Sequence, residues 1–224
     1  MPPLVVVIGE DIGLANLEQL RATFPQVEFH LCPDEADFSA AAAHAQILFS
    51  KRFPAAALAA PGLRWVQAGT AGVERLLAAG LAERGVTITN AHGAHGVPMA
   101  ELILSMMLAF ATGLHNLIRA QESRRHIQQQ IIRTKFELEG QTLCVVGLGD
   151  IGGTLAHKGR ALGMRVIGVR RDPRPHPAAE RVYAAGEIRQ ALGQADHVAL
   201  CLPLTAATTA LVGAAELRAM RPTA

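Results

Sequence analysis

The chain has little cysteine, little net charge and no long apolar run, and each scarcity closes off a class of protein. Its three cysteines, Cys32, Cys144 and Cys201, lie far apart in a sequence of 224 residues. They form neither a CxxC pair nor a metal-ligand spacing, so no disulfide framework and no metal site is expected. The thiols read as buried groups of a chain kept in a reducing cytoplasm. The formal net charge is only +2, which leaves no basic footprint for nucleic acid. No apolar stretch reaches the ~20 residues needed to cross a bilayer. The most apolar run, LILSMMLAF (residues 102–110), is soon followed by Thr112, His115 and Asn116, and it reads as a buried helix. The N-terminus, MPPLVVVIGEDIG, has no basic segment and no small-residue cleavage site, so no secretory signal is expected.

What the chain has in quantity is apolar side chain, 50% of its residues, ample for hydrophobic cores. Short β-like runs alternate with helical stretches. LVVVIG (residues 4–9) is continuous and β-branched, as suits a strand buried on both faces. Apolar residues at Leu14, Leu17, Leu20 and Phe24 suit a helix. VEFHL (27–31), QILFS (46–50), RWVQA (64–68) and VTITN (86–90) read as further strands, with alanine-rich helices between them. This alternation predicts an α/β fold whose parallel sheets are covered on both faces. Near residue 96 the pattern changes. Pro98 is placed to open a long helix, with Glu101 near its positive end, running to about Arg119. The polar segment RAQESRRHIQQQIIRTK (119–135) is expected to be a solvated connection rather than an arm that contacts a partner. Strand, helix and strand then resume with TLCVVG, a helix from Asp150, and MRVIGV. Two lobes are therefore expected, residues 1–97 and 98–224.

The second lobe carries VVGLGDIGGTLAHKG (145–159), in which Gly147, Gly149 and Gly152 make G-x-G-x-x-G after a buried strand and before a helix. The motif assigns each glycine a task. Gly147 permits the tight turn, Gly149 lets a pyrophosphate approach the backbone, and Gly152 lets helix and strand pack closely. Backbone N–H groups near Leu148, Asp150 and Ile151 would face the phosphates, aided by the helix dipole. The next strand ends in VIGVRRDP, with Arg170 and Arg171 ahead of Asp172. Guanidinium groups favour a ribose 2′-phosphate where an acid would repel it, so NADP is expected over NAD. Asp172 keeps NAD open if the turn places it inward.

Four segments together resemble the D-isomer-specific 2-hydroxyacid dehydrogenases, and the arginine at the end of VIGVR resembles their NADP-preferring, glyoxylate- or hydroxypyruvate-reducing branch. They are RWVQAGTAGVERL (64–76), ITNAHGAHGVPMAELILSMMLAF (88–110), TLCVVGLGDIGGTLA (142–156) and HVALCLPLTAATTALV (197–212). The resemblance implies two Rossmann- or flavodoxin-like lobes and hydride transfer between a nicotinamide and a small 2-oxo or 2-hydroxy acid. It assigns the substrate carboxylate to Thr70, Ala71, Gly72 and Val73, with Glu74 where the family often has Asp. It assigns the cofactor to Met99, to the glycine turn, and to Leu202, Pro203 and Thr205. It also implies a homodimer through the helix that starts near Pro98, and a cytoplasmic location. Lys51 and Arg52, after a strand end, read either as attractors of an anionic acid or as surface charges.

The family's catalytic arginine, acid and histidine lie downstream of the loop that reads PLT here. The sequence runs PLTAATTALVGAAELRAMRPTA to Ala224 and matches none of the three, so no catalytic residue is assigned. A C-terminally shortened copy is expected, with an uncovered edge on its second sheet. His92, His95, His115, His197, Arg218 and Arg221 are not expected to substitute. The alternatives to the dehydrogenase are a catalytically inactive dinucleotide-binding protein and a cofactor-sensing interaction protein.

Overall fold

A computed structural model describes residues 3–224. The chain divides into two units, Met1–His92 and Gly93–Ala224. In the first, five strands alternate with four helices: β1 (Leu4–Ile8), α1 (Leu14–Thr23), β2 (Val27–Leu31), α2 (Glu35–Ala42), β3 (Ile47–Ser50), α3 (Ala55–Ala59), β4 (Trp65–Ala68), α4 (Glu74–Ala78) and β5 (Thr87–Thr89). All pairings are parallel, in the order β2-β1-β3-β4-β5. That is the flavodoxin-like order. The continuous apolar run of β1 is required because both faces of the sheet are covered. Val7 packs into one layer with Phe38, Leu48 and Val66. Val6 and Ile8, one residue either side, pack into the other with Leu17 of α1.

The second unit opens with helices, α5 (Gly96–Thr112), α6 (Leu114–Glu122) and α7 (Gln128–Thr134). It continues through β6 (Thr142–Val146), α8 (Asp150–Ala161), β7 (Arg165–Arg170), β8 (Arg181–Ala184), α9 (Ile188–Leu192), β9 (His197–Leu200) and α10 (Ala214–Ala219). Its parallel strands run β8-β7-β6-β9, a Rossmann half in which β6, buried at every residue, is the first central strand. α5 packs against α8 through Ala100, Leu104, Met107 and Ala111, spaced to share one helix face.

The long helix departs from expectation. It starts at Gly96, which places Pro98 inside the first turn, where a missing N–H is tolerated. It stops at Thr112, because Gly113 adopts a left-handed conformation (φ 71°) and closes the end with its N–H toward Ala109 and Phe110. α6 then leaves at a bend of 71°. The polar segment that follows is not a bare connection either. Ala120 and Ile131 are buried on α6 and α7, and Ile131 lies against Gly113.

No single helix among the described residues is long and apolar enough to cross a membrane. All three cysteines are free, but only Cys144 is fully buried, and burial pushes its thiol up to about 12. Cys32 and Cys201 are half-buried, short of the full burial expected.

Candidate dinucleotide site and substrate loop

β6 delivers the chain to the glycine turn at the C-terminal edge of its sheet. Gly147 has φ 99°, and its N–H donates to the Val169 carbonyl of β7 at 2.8 Å. A Cβ there would stand 2.7 Å from the Cys201 carbonyl oxygen, so the turn is wedged between the ends of the neighbouring strands. The Leu148 side chain is buried over Gly168, where a Cβ would collide with it. Gly152 faces the turn itself, and a Cβ would run into the Gly147 carbonyl. Gly149 is different: a Cβ there would meet no protein atom within 4 Å.

Gly149 is also the N-cap of α8, and no side chain caps that helix. Its first-turn N–H groups, at Asp150 and Ile151, therefore lie open to a ligand at the positive end of the dipole. Asp150 leaves them free by turning away. Its Oδ1 would lie 2.5 Å from a Cβ on Gly96, the first residue of α5. The carboxylate thus sits at the positive end of a second helix. An uncapped helix N-terminus behind a glycine that protein packing does not require fits a pyrophosphate.

Around the turn, β7 ends at half-buried Arg170, followed by exposed Arg171 and Asp172. Asp172 does not turn inward. Its carboxylate pairs with Arg174 at 2.7 Å, and both side chains are largely exposed. Beyond β9, a Leu202 methyl would lie 2.9 Å from a Cβ on Gly147. Leu202, Pro203, Leu204 and Val212 help line a shallow pocket of about 250 Å³. Thr208 fixes the loop by donating to the Pro203 carbonyl at 2.6 Å and accepting the Thr205 N–H at 2.8 Å. Met99 lies in the first turns of α5 and is exposed. Two further residues near this region lie outside the motifs: His157 on α8 and His176 in the β7–β8 connection. His157 is four residues beyond Gly153 and so shares its helix face. His176 comes from irregular backbone, where no spacing points to it.

In the first unit, the loop Thr70–Val73 follows β4 at the C-terminal edge of that sheet. Its carbonyls are taken: Thr70 accepts from Ala91 N–H at 3.1 Å, Ala71 from Asn90 Nδ2 at 2.7 Å, and Gly72 from Thr70 Oγ1 at 2.8 Å. Among the described residues, the N–H groups of Ala71, Gly72 and Val73 have no hydrogen-bond partner. Glu74 curls over the loop, its Oε2 2.7 Å from a Cβ position on Gly72. Arg52 is held inward. Its Nη2 donates to the Gly9 and Pro33 carbonyls at 2.7 and 2.6 Å, and the guanidinium lies over Phe38. It ties strand ends together. Lys51 folds over Gly69 with its ammonium 3.8 Å from Glu10.

The remaining candidates have local duties. His197 opens β9, at the sheet edge opposite the glycine turn, and bonds Gln141 at 2.6 Å while stacking on Phe136. Burial lowers its affinity for a proton despite neighbouring Asp196. Arg221 pairs with Asp196, His115 bonds the Ala109 carbonyl at 3.1 Å, and Arg218 closes α10. His95 is the N-cap residue of α5, and His92 is exposed just ahead of it.

Comparison with known proteins matches this geometry. Residues 104–224 fit the family model described as D-isomer specific 2-hydroxyacid dehydrogenase, NAD binding domain. The chain belongs to that family. Among its curated relatives is a D-3-phosphoglycerate dehydrogenase of Methanocaldococcus jannaschii, 33% identical over 157 residues, covering 68% of this chain and 29% of the relative. A glyoxylate reductase of Thermococcus litoralis is 27% identical over 170 residues, covering 74% of this chain and 51% of its own length. The crystal structure of a D-isomer specific 2-hydroxyacid dehydrogenase family protein from Aeromonas salmonicida is 28% identical. It aligns with a TM-score of 0.80 over 100% of this chain and 71% of that one. The chain thus spans about half the length of the glyoxylate reductase it matches and less of the phosphoglycerate dehydrogenase. The glycine turn lies within the family's nicotinamide-dinucleotide-binding domain.

Proposed function

We infer that the second unit binds NADP(H) in preference to NAD(H), and that the chain serves hydride transfer on a small 2-oxo or 2-hydroxy acid. The observation that carries the cofactor choice is the end of β7. Arg170 and Arg171 stand there without an acidic partner, and the one nearby carboxylate, Asp172, is engaged by Arg174. A bound nicotinamide would supply the hydride-accepting or hydride-donating centre. The chain's own residues bind and orient. The N–H groups at the start of α8 hold the pyrophosphate, Arg170 and Arg171 hold the 2′-phosphate, and Met99, Leu202, Pro203 and Thr205 border the cofactor.

The loop Thr70–Val73 is the proposed carboxylate site. Its free N–H groups supply neutral donors to an anion and its carbonyls are already engaged, while the Glu74 carboxylate over Gly72 would have to turn aside. The first unit is accordingly the substrate-binding part and the second the dinucleotide-binding part. The test is NADPH oxidation with glyoxylate, hydroxypyruvate and other small 2-oxo acids, run alongside equilibrium binding of NADPH and NADH. Turnover with at least one acid supports the dehydrogenase reading. NADPH binding with no turnover on any acid supports the inactive dinucleotide-binding protein instead, and no nucleotide binding contradicts both.

A further inference from the structure

His176 and His157 have no part in the assignment above, yet they stand beside it. The connection that carries His176 runs back along α8. Arg160 of that helix donates to the Pro177 carbonyl at 2.7 Å, and His176 Nε2 lies 3.4 Å from a Cβ position on Gly153. Nδ1 accepts the Ala178 N–H at 3.3 Å, which puts the neutral ring's proton on Nε2, the nitrogen that faces the start of α8. His157 tilts against the same ring with centroids 5.4 Å apart. Burial first, then His157 and Arg170, hold His176 below the ordinary histidine range.

The other charges around His176 are accounted for. On α8, Arg160 is tied to Pro177 and Lys158 to Glu101 of α5 at 2.8 Å. In the connection, Asp172 and Arg174 pair with each other. Arg171 is exposed at the end of β7. Among the described residues, no carboxylate pairs with Arg170, Arg171, His157 or His176. Three basic side chains, Arg170, His157 and His176, thus come together beside the phosphate-binding turn with no acid paired to them. A dianion is the ligand that would balance them.

We propose that His176 is a proton-dependent contact for the ribose 2′-phosphate, working beside the permanently charged Arg170. This rests on the reading that the dinucleotide is NADP(H). Its consequence is a linkage. Burial, with His157 and Arg170 beside it, disfavours a proton on His176 in the free protein, and the bound dianion opposes that. Binding a 2′-phosphate therefore takes up a proton, and affinity rises as pH falls. The phosphate's own second ionisation, near about pH 6, acts with the opposite sign, since cationic partners favour its release of a proton.

The test is calorimetric titration of the chain with 2′,5′-ADP and with 5′-AMP between about pH 5.5 and 8.5, in buffers of different ionisation enthalpy so that protons are counted. The His176→Asn variant keeps an acceptor for the Ala178 N–H but does not titrate. The parent is expected to take up protons with 2′,5′-ADP and not with 5′-AMP. Its preference for 2′,5′-ADP should grow about tenfold toward low pH, the size of one charge-assisted hydrogen bond. His176→Asn should match the parent at high pH and lose the growth. His157→Gln should keep the uptake and move it to higher pH. Proton exchange in the parent no more positive than in His176→Asn, or an unchanged pH dependence in His176→Asn, overturns the role of His176 while leaving the NADP reading intact. No preference for 2′,5′-ADP at any pH overturns both.

Discussion

Gly149 and Gly152 stand three residues apart and are glycine for opposite reasons. Gly152 has no room for a Cβ because the Gly147 carbonyl occupies the space, whereas a Cβ on Gly149 would meet no protein atom within 4 Å. Gly152→Ala should therefore cost about 1–3 kcal/mol of stability, as overpacking does, seen as a lowered denaturation midpoint. Gly149→Ala should cost under about 1 kcal/mol as an N-cap change and instead weaken dinucleotide binding sharply. Equal losses of stability in the two variants would contradict this division. The motif made the three glycines legible from spacing alone. The direction of Asp172 was not legible, because it depends on an ion pair with Arg174 across irregular backbone. Nor was the fate of Arg52, whose two carbonyl acceptors come from strand ends far away in sequence.

At the scale of elements, the strands were the easiest to read. A parallel strand covered on both faces must be a continuous apolar run, and residues 4–8, 142–146 and 165–170 are such runs or nearly so. The break between α5 and α6 was hidden, because one glycine in an apolar stretch looks like any tolerated helix glycine. Gly113→Ala would force a left-handed conformation on a residue with a Cβ and press it against Ile131, 2.8 Å away. A loss of about 1–2 kcal/mol or more is expected, measured by denaturant unfolding. No loss would mean that the helices can straighten at no cost.

The N-terminal edge of the second sheet is tied by Asp196. Burial works against its charge, but the Thr142 N–H at 2.8 Å and the Arg221 guanidinium outweigh that and hold its carboxyl below the usual range. A depressed carboxyl stabilises the fold above its unfolded value of about 3.9, and that contribution is lost as pH falls through the folded value. Asp196→Asn should cost about 1–2 kcal/mol near neutral pH, with the gap between parent and variant closing in acid. A gap that stays constant across the acid limb would contradict the assignment.

At the scale of the whole molecule, α5 carries a second apolar stripe besides the one it packs on α8. Met99, Leu102, Met106 and Phe110 recur at helical spacing, and Phe110 is 65% exposed. An exposed stripe of this kind is suited to association, and pairing of two copies through this helix is the use we propose. Sedimentation equilibrium should find a dimer that the double variant Met106→Glu, Phe110→Glu converts to monomer. A parent that stays monomeric at micromolar concentrations would contradict the pairing. Family and fold were legible because motif order and strand alternation run the length of the chain. The proposed cofactor preference rests, in the sequence, on two arginines alone.

That preference is the central claim, and its most direct measurement is equilibrium titration of the 224-residue chain with NADPH and NADH under one set of salt and pH conditions. The account predicts that both bind, with NADPH tighter by about tenfold or more, as charge-assisted contacts to the 2′-phosphate require. Binding of NADH as tightly as NADPH, or of neither, would contradict it.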